Sequence, residues 1–145
     1  MAHVVGIDLG TTKSLVAYVA NGAPSVIRDL HGDALLPSIV SFDAQGRTLV
    51  GREAERRLFT EASRTVYSVK RFMGRGIEDV RDEAHLFPFR LTGEPGGVIR
   101  IGLGEREFTP PEISALILRE LKRRAEDFFA SQGEIQCEVN AAVIT

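Results

Sequence analysis

Cysteine is nearly missing from this chain of 145 residues: Cys137 stands alone. One cysteine excludes a disulfide framework within the chain and fits a reducing compartment. Cys137 precedes an apolar run with no metal-ligand partner at suitable spacing, so it reads as a core or near-surface thiol. His3, His31 and His85 are scattered, which argues against a metal cluster. No stretch approaches the roughly 20 apolar residues of a membrane span. The N-terminus lacks a basic segment followed by an apolar one, so no signal peptide is evident, and the cytoplasm is the default location. A basic excess is missing too. Net charge is -2, which removes the broad positive field that draws nucleic acid or anionic lipid. The run Lys122-Arg123-Arg124 sits among acids and reads as a solvated helix face. Repeats and low-complexity tracts are absent.

What is present is an ordinary globular composition, 43% hydrophobic and 26% charged, on a chain long enough for one domain with a real core. Val4 to Leu9 and Leu15 to Ala20 are short apolar runs joined by a tight connection, which predicts a β-hairpin. The turn at Asn21-Gly22-Ala23-Pro24 and a short strand from Ser25 to Arg28 extend it into a three-stranded antiparallel meander. "SIVSFD" (38–43) alternates like a half-buried strand, and "TLVG" reads as another. Gly51 to Glu61 reads as a charged helix, 65–75 as a short helical or irregular piece, and 77–86 as a weak helix. "FPFRL" and "GVIRIG" read as two strands.

The clearest element is a long helix near the C-terminus. Thr109 and Glu112 have the spacing of a capping box, with Pro110 at the first helical position. Ile113, Leu116, Ile117, Leu121, Ala125 and Phe128 recur at helical spacing as one apolar face, and Gly133 supplies the stop. "VNAAVIT" then reads as a buried strand. A chain that ends within an apolar run looks like part of something longer. Pro37 and Pro110-Pro111 suggest that 1–37 and 110–145 pack together as a base, with 38–109 inserted as a smaller subdomain.

The hairpin connection carries the chemistry. "GIDLGTTKS" (6–14) ends in Lys-Ser like a P-loop, G-x-x-x-x-G-K-[ST], but its glycines are four apart and two threonines separate Gly10 from Lys13. A P-loop also runs from a strand into a helix, whereas β-like residues follow Ser14. A hairpin turn offers another cradle, with successive backbone N–H groups converging on an anion. Gly10 permits close approach, Thr11 and Thr12 add hydroxyl donors, and Asp8 at the strand end can hold hydrated Mg²⁺. A carboxylate aimed at phosphate repels it unless a cation intervenes, so Asp8 with Gly10-Thr11-Thr12 says more than either part. A plain tight hairpin uses the same residue types, and spacing alone leaves both readings open.

"GIDLGTTKSLVA" resembles the first phosphate motif of the 70-kDa heat-shock chaperones, the DnaK family, whose ATPase fold is shared with actin and sugar kinases. The resemblance continues through "GDALLPSIV", "LVGREAERR", "SVKRFMGR", "FTPPEISALILRELKRRAEDF" and "AAVIT", and so spans essentially the whole chain in order. "LLPS" and "SVKRFMGR" lean slightly toward the iron–sulfur assembly branch.

The resemblance implies an α/β, ribonuclease H-like or actin-like ATPase fold, of which this is the first lobe with its inserted α+β subdomain. It implies that Gly10, Thr11, Thr12 and Lys13 line the β- and γ-phosphates of ATP, and that Asp8 binds Mg²⁺ through water. Lys70 would orient the attacking water and offset charge at the γ-phosphate, with Arg71 supporting the phosphate side. Lys13 departs from the family, which usually has a polar uncharged residue there, often asparagine. The second phosphate hairpin, adenosine pocket and peptide-binding domain would follow Thr145. The isolated chain is therefore expected to bind ATP or ADP weakly or not at all and not to turn ATP over, the complete protein being the hydrolase. The implied partners are a J-domain co-chaperone, a nucleotide-exchange factor and unfolded client peptides, with no nucleic acid and no membrane. A sugar or acetate kinase lobe and a non-catalytic partner-binding module are the alternatives.

Overall fold

Val5 and Ile7 are 2% and 5% exposed, while Val4, Gly6 and Asp8 between them face solvent. This period of two makes β1 (Ala2–Asp8) a strand with one face on the core. In this computed structural model, which describes residues 2–134 and 137–145, β1 pairs antiparallel with β2 (Lys13–Ala20). β2 pairs in turn with β3 (Ala23–Val26), giving the expected meander. Pro24 lies on the outer strand, where a missing N–H is tolerated. β4 (Leu36–Pro37) adds a short pairing to the start of β2.

β5 (Ile39–Phe42) is the centre of a second sheet, between β6 (Thr48–Val50) and β7 (Thr65–Tyr67). The sequence pattern predicts a strand buried on one face, but all four β5 residues are buried. The strand has neighbours on both edges, and two helices described below pack against it. Its buried Ser41 hydroxyl is met by Thr65 Oγ1 at 2.9 Å and by Arg57 Nε at 3.1 Å. The charged helix expected over 51–61 shrinks to α1 (Arg52–Glu55), followed by turns and a 3₁₀ segment at Ala62–Arg64. Ala54 is the only buried residue of α1, and a helix without an apolar stripe gains little from packing. The weak helix at 77–86 likewise divides into α2 (Ile77–Val80) and a 3₁₀ turn at Ala84–Leu86.

A third sheet joins β8 (Arg90–Thr92), β9 (Arg100–Leu103) and β10 (Arg106–Phe108). β10 is too short and polar to announce itself in sequence. α3 (Pro110–Ser131) starts at the expected capping box and buries Ile113, Ile117, Leu121, Ala125 and Phe129. It packs on β1, β2, β5 and β6, and one continuous core runs from Val5 and Ile7 through Phe72, Ile99 and Ile101 to these helix residues.

α3 leads the chain back to the first sheet, where β11 (Glu138–Ile144) pairs parallel with β1. The strand forms where expected, but the expectation that it is buried is corrected: only Val139 is. β11 is the edge of its sheet, so most of its side chains remain in solvent. The parallel pairing corrects a second expectation. It brings the starts of β1 and β11 together, and His3 is no longer remote from Cys137. A nitrogen of His3, a carboxylate oxygen of Glu134 and the thiol of Cys137 all lie within 4.8 Å of one another.

Candidate functional site

The register Gly6↔Ala17, Ile7↔Val16, Asp8↔Leu15 leaves Leu9 to Thr12 as the loop of the first hairpin. Gly10 is required there by space. A Cβ on it would stand 2.0 Å from the Lys13 carbonyl oxygen, so the backbone can fold back this closely only with a hydrogen in that position.

Two serines fasten the turn. Gly10 N–H donates to Ser14 Oγ at 3.2 Å, and Ser38 Oγ donates to the Gly10 carbonyl at 2.8 Å. The two hydroxyls are 2.8 Å apart and buried. Each serine has one hydroxyl proton. Ser38 gives its own to Gly10, so Ser14 donates to Ser38. The three bonds close a ring, from Gly10 N–H to Ser14 to Ser38 and back to the Gly10 carbonyl. Ser38 N–H also donates to the Thr12 carbonyl at 2.9 Å. A closed chain of buried hydrogen bonds strengthens each member and holds one geometry. Sequence reasoning discounted Ser14 as the misleading end of a P-loop and did not assign Ser38 a role. Their signal was present in the quoted "GTTKS" and "LLPS", but only the fold shows that the two serines meet.

With the backbone tied down, the remaining polar groups point outward. Asp8 and Thr12 are exposed and Thr11 is half-buried. Among the described residues, neither threonine hydroxyl is engaged in a hydrogen bond. Beside the loop runs the end of β11: Leu9 N–H donates to the Thr145 carbonyl and Thr145 N–H to the Ile7 carbonyl. Lys13 opens β2 opposite Pro37, and its ammonium lies 3.6 Å from Glu55 of α1, with both side chains largely solvated.

Lys70 and Arg71 occupy a 3₁₀ turn, Val69–Phe72, entered through Ser68 in a left-handed conformation (φ 55°). Val69 and Phe72 are buried and anchor the turn against α3, which leaves Lys70 exposed. Arg71 donates to Glu83 at 2.9 Å and lies over the Phe87 ring, 5.9 Å from its centre. The segment connects to the loop through one step of sheet pairing, since Tyr67 faces Ile39 and Ile39 follows Ser38. Among the described residues, neither Lys70 nor Arg71 bonds to the loop itself. A groove of about 1170 Å³ between α3 and the segments around Asp29 and Arg52 is a separate feature, lined by none of Asp8, Gly10, Thr11, Thr12 or Lys70.

The family model for Hsp70 protein matches residues 4–145. The chain belongs to the Hsp70 family. The matched residues correspond to the N-terminal part of an Hsp70 nucleotide-binding domain, and the mixed α/β architecture agrees with the actin-like ATPase fold of Hsp70 proteins. The family is one of ATP-binding chaperones that take ATP or ADP with Mg²⁺, which favours this class over a small-molecule kinase. Among the described residues, no helix is long and apolar enough to cross a membrane.

Proposed function

We propose that this chain is the first lobe of a chaperone ATPase and supplies the phosphate side of its nucleotide site. The observation that carries the reading is the clamped hairpin: Gly10 is tied at both its N–H and its carbonyl, while among the described residues Asp8 and the Thr11 and Thr12 hydroxyls have no side-chain partner at the loop. Donors held in place before the ligand arrives need no reorganisation when negative charge does. In this reading Gly10, Thr11 and Thr12 line the β- and γ-phosphates, the threonines as donors and Gly10, its own N–H given to Ser14, by permitting close approach. Lys13 flanks them, its ammonium shared with Glu55.

The donor set fits Mg²⁺. Asp8 offers an exposed carboxylate, a hard oxygen ligand with room for the waters this ion keeps. When bound, the ion neutralises charge between the phosphates and Asp8. Lys70, exposed and without a partner among the described residues, is the group that orients water and offsets charge at the γ-phosphate. Arg71 supports that side while braced on Glu83. Residues 1–37 and 110–145 act as the base, and 38–109 as the inserted subdomain. The complete protein couples ATP hydrolysis to folding of client peptides in the cytoplasm, with a J-domain co-chaperone and a nucleotide-exchange factor.

The test is ATP turnover by the complete Hsp70 polypeptide that carries this lobe. Lys70→Ala lowers the hydrolysis rate by roughly 10²-fold or more while ATP binding persists. An unchanged rate removes Lys70 from the mechanism. Calorimetry on the isolated chain with MgATP gives binding weaker than micromolar, because one lobe offers half of the contacts. Micromolar or tighter binding contradicts the half-site.

A further inference from the structure

At the opposite end of β1 from Asp8, three elements converge. His3 comes from β1, Glu134 from the turn after α3, and Cys137 from the approach to β11. His3 Nε2 lies 2.7 Å from Glu134 Oε2, and Cys137 Sγ lies 3.9 Å from the same oxygen. The imidazole is held by Phe129, on which it stacks with ring centres 3.8 Å apart and planes 8° from parallel. We propose that His3, Glu134 and Cys137 form a three-ligand site for a zinc-class divalent metal, distinct from the nucleotide loop.

The donors select the class of metal. A thiol, an imidazole and one carboxylate form the mixed S, N, O set that suits zinc, whereas magnesium and calcium take oxygen alone. Tetrahedral zinc holds such ligands at about 2.0–2.3 Å, hence roughly 3.2–3.8 Å from one another. The donor atoms, all within 4.8 Å, need to close by about 1 Å on the longest pair. His3 and Glu134 keep side-chain exposures of 17% and 31%, which leaves a fourth position for water or an outside ligand. Five steps of strand take the chain from His3 to Asp8, about 16 Å at the usual rise. The metal would staple the start of β1 to the segment between α3 and β11 without touching nucleotide.

The test titrates the chain with Zn²⁺ against a chromophoric chelator, and with Co²⁺ as a spectroscopic substitute. One metal binds per chain. Co²⁺ produces an intense thiolate charge-transfer absorption, and affinity falls with pH because the thiol proton must leave. Cys137→Ser abolishes that absorption, and Cys137→Ser or His3→Ala weakens Zn²⁺ binding by at least about tenfold. Circular dichroism checks that each variant is folded. The absence of a thiolate band in the unsubstituted chain overturns the proposal without reference to any variant. So does Zn²⁺ affinity that a folded Cys137→Ser retains, which marks the group as a His3–Glu134 ion pair with a bystander thiol.

Discussion

Ser38 holds Gly10 by its carbonyl: the hydroxyl donates at 2.8 Å across 28 residues of sequence. Through this bond the entry to β5 fixes the shape of the loop between β1 and β2. Ser38→Ala leaves the Gly10 carbonyl and the Ser14 hydroxyl without their buried partner. Unfolding in urea then shows a loss of about 1–3 kcal/mol with an unchanged slope. Ser131→Ala, which removes an exposed hydroxyl on α3, stays within about 0.5 kcal/mol. Hydrogen exchange at Gly10 N–H accelerates in the first variant and not in the second.

Two glycines of the same motif separate space from composition. Gly10→Ala drives a methyl to 2.0 Å from the Lys13 carbonyl, and a backbone oxygen cannot swing aside as a side chain can. The loop has to open, at about 1–3 kcal/mol or more. A Cβ on Gly6 meets nothing within 4 Å, and Gly6→Ala leaves stability unchanged or raises it by about 0.4–1 kcal/mol. In the complete ATPase, Gly10→Ala also weakens nucleotide binding while Gly6→Ala does not. Equal melting temperatures for the two variants would show that the turn is not sterically locked.

These contrasts mark what sequence can and cannot carry. The hairpin and α3 were legible because their signals are local: apolar alternation around a tight connection, and Thr109 three residues before Glu112 ahead of an apolar stripe. The clamp was not, because Ser14 and Ser38 meet only once β4 pairs with the start of β2. His3 and Cys137 were separated for the same reason, since the parallel pairing of β1 with β11 joins the two ends of the chain and has no local signature. β11 was misread as buried because an apolar run does not reveal whether its strand is an edge. Arg52–Glu55 was overextended because charged residues favour a helix by propensity while only Ala54 supplies packing.

The cap of α3 gives a pH-dependent outcome. Thr109 N–H donates to Glu112 at 2.7 Å, its hydroxyl donates to the same carboxylate, and Glu112 N–H donates back to Thr109 Oγ1. Thr109→Ala removes the side-chain half and lowers stability by about 0.5–2 kcal/mol. The Thr109 backbone N–H, then its hydroxyl, hold the Glu112 carboxyl below the usual glutamate range. A depressed carboxyl contributes stability that is fully present above its unfolded pKa and is lost as pH falls through the folded one. Denaturation series through the acidic range therefore show a steeper loss for the unsubstituted chain than for Glu112→Gln. Parallel curves would mean that the box contributes no proton linkage.

Arg124 ties the long helix to the segment that leads into the clamp. Its side chain is 8% exposed, and its guanidinium donates to the carbonyls of Asp33 and Ala34 at 3.2 Å each and lies 3.7 Å from Asp29. Burial alone raises the Asp29 carboxyl, but the N–H groups of Asp33 and His31, together with Arg124, outweigh it and leave the group below the ordinary aspartate range. Arg124→Met keeps the apolar stem and removes the donors, which leaves the Ala34 carbonyl without its guanidinium partner and the Asp33 carbonyl with the Asp29 N–H alone, and costs about 1–3 kcal/mol. Asp29 then titrates higher in an NMR pH series, though still held down by its two backbone donors. Its stabilising contribution, present above the unfolded pKa and lost as pH falls through the folded one, shrinks accordingly. Because 29–34 feeds directly into β4 and Ser38, Gly10 N–H exchanges faster in this variant as well. Unchanged exchange at Gly10 would show that the segment and the Gly10 loop are energetically independent despite their proximity in the chain.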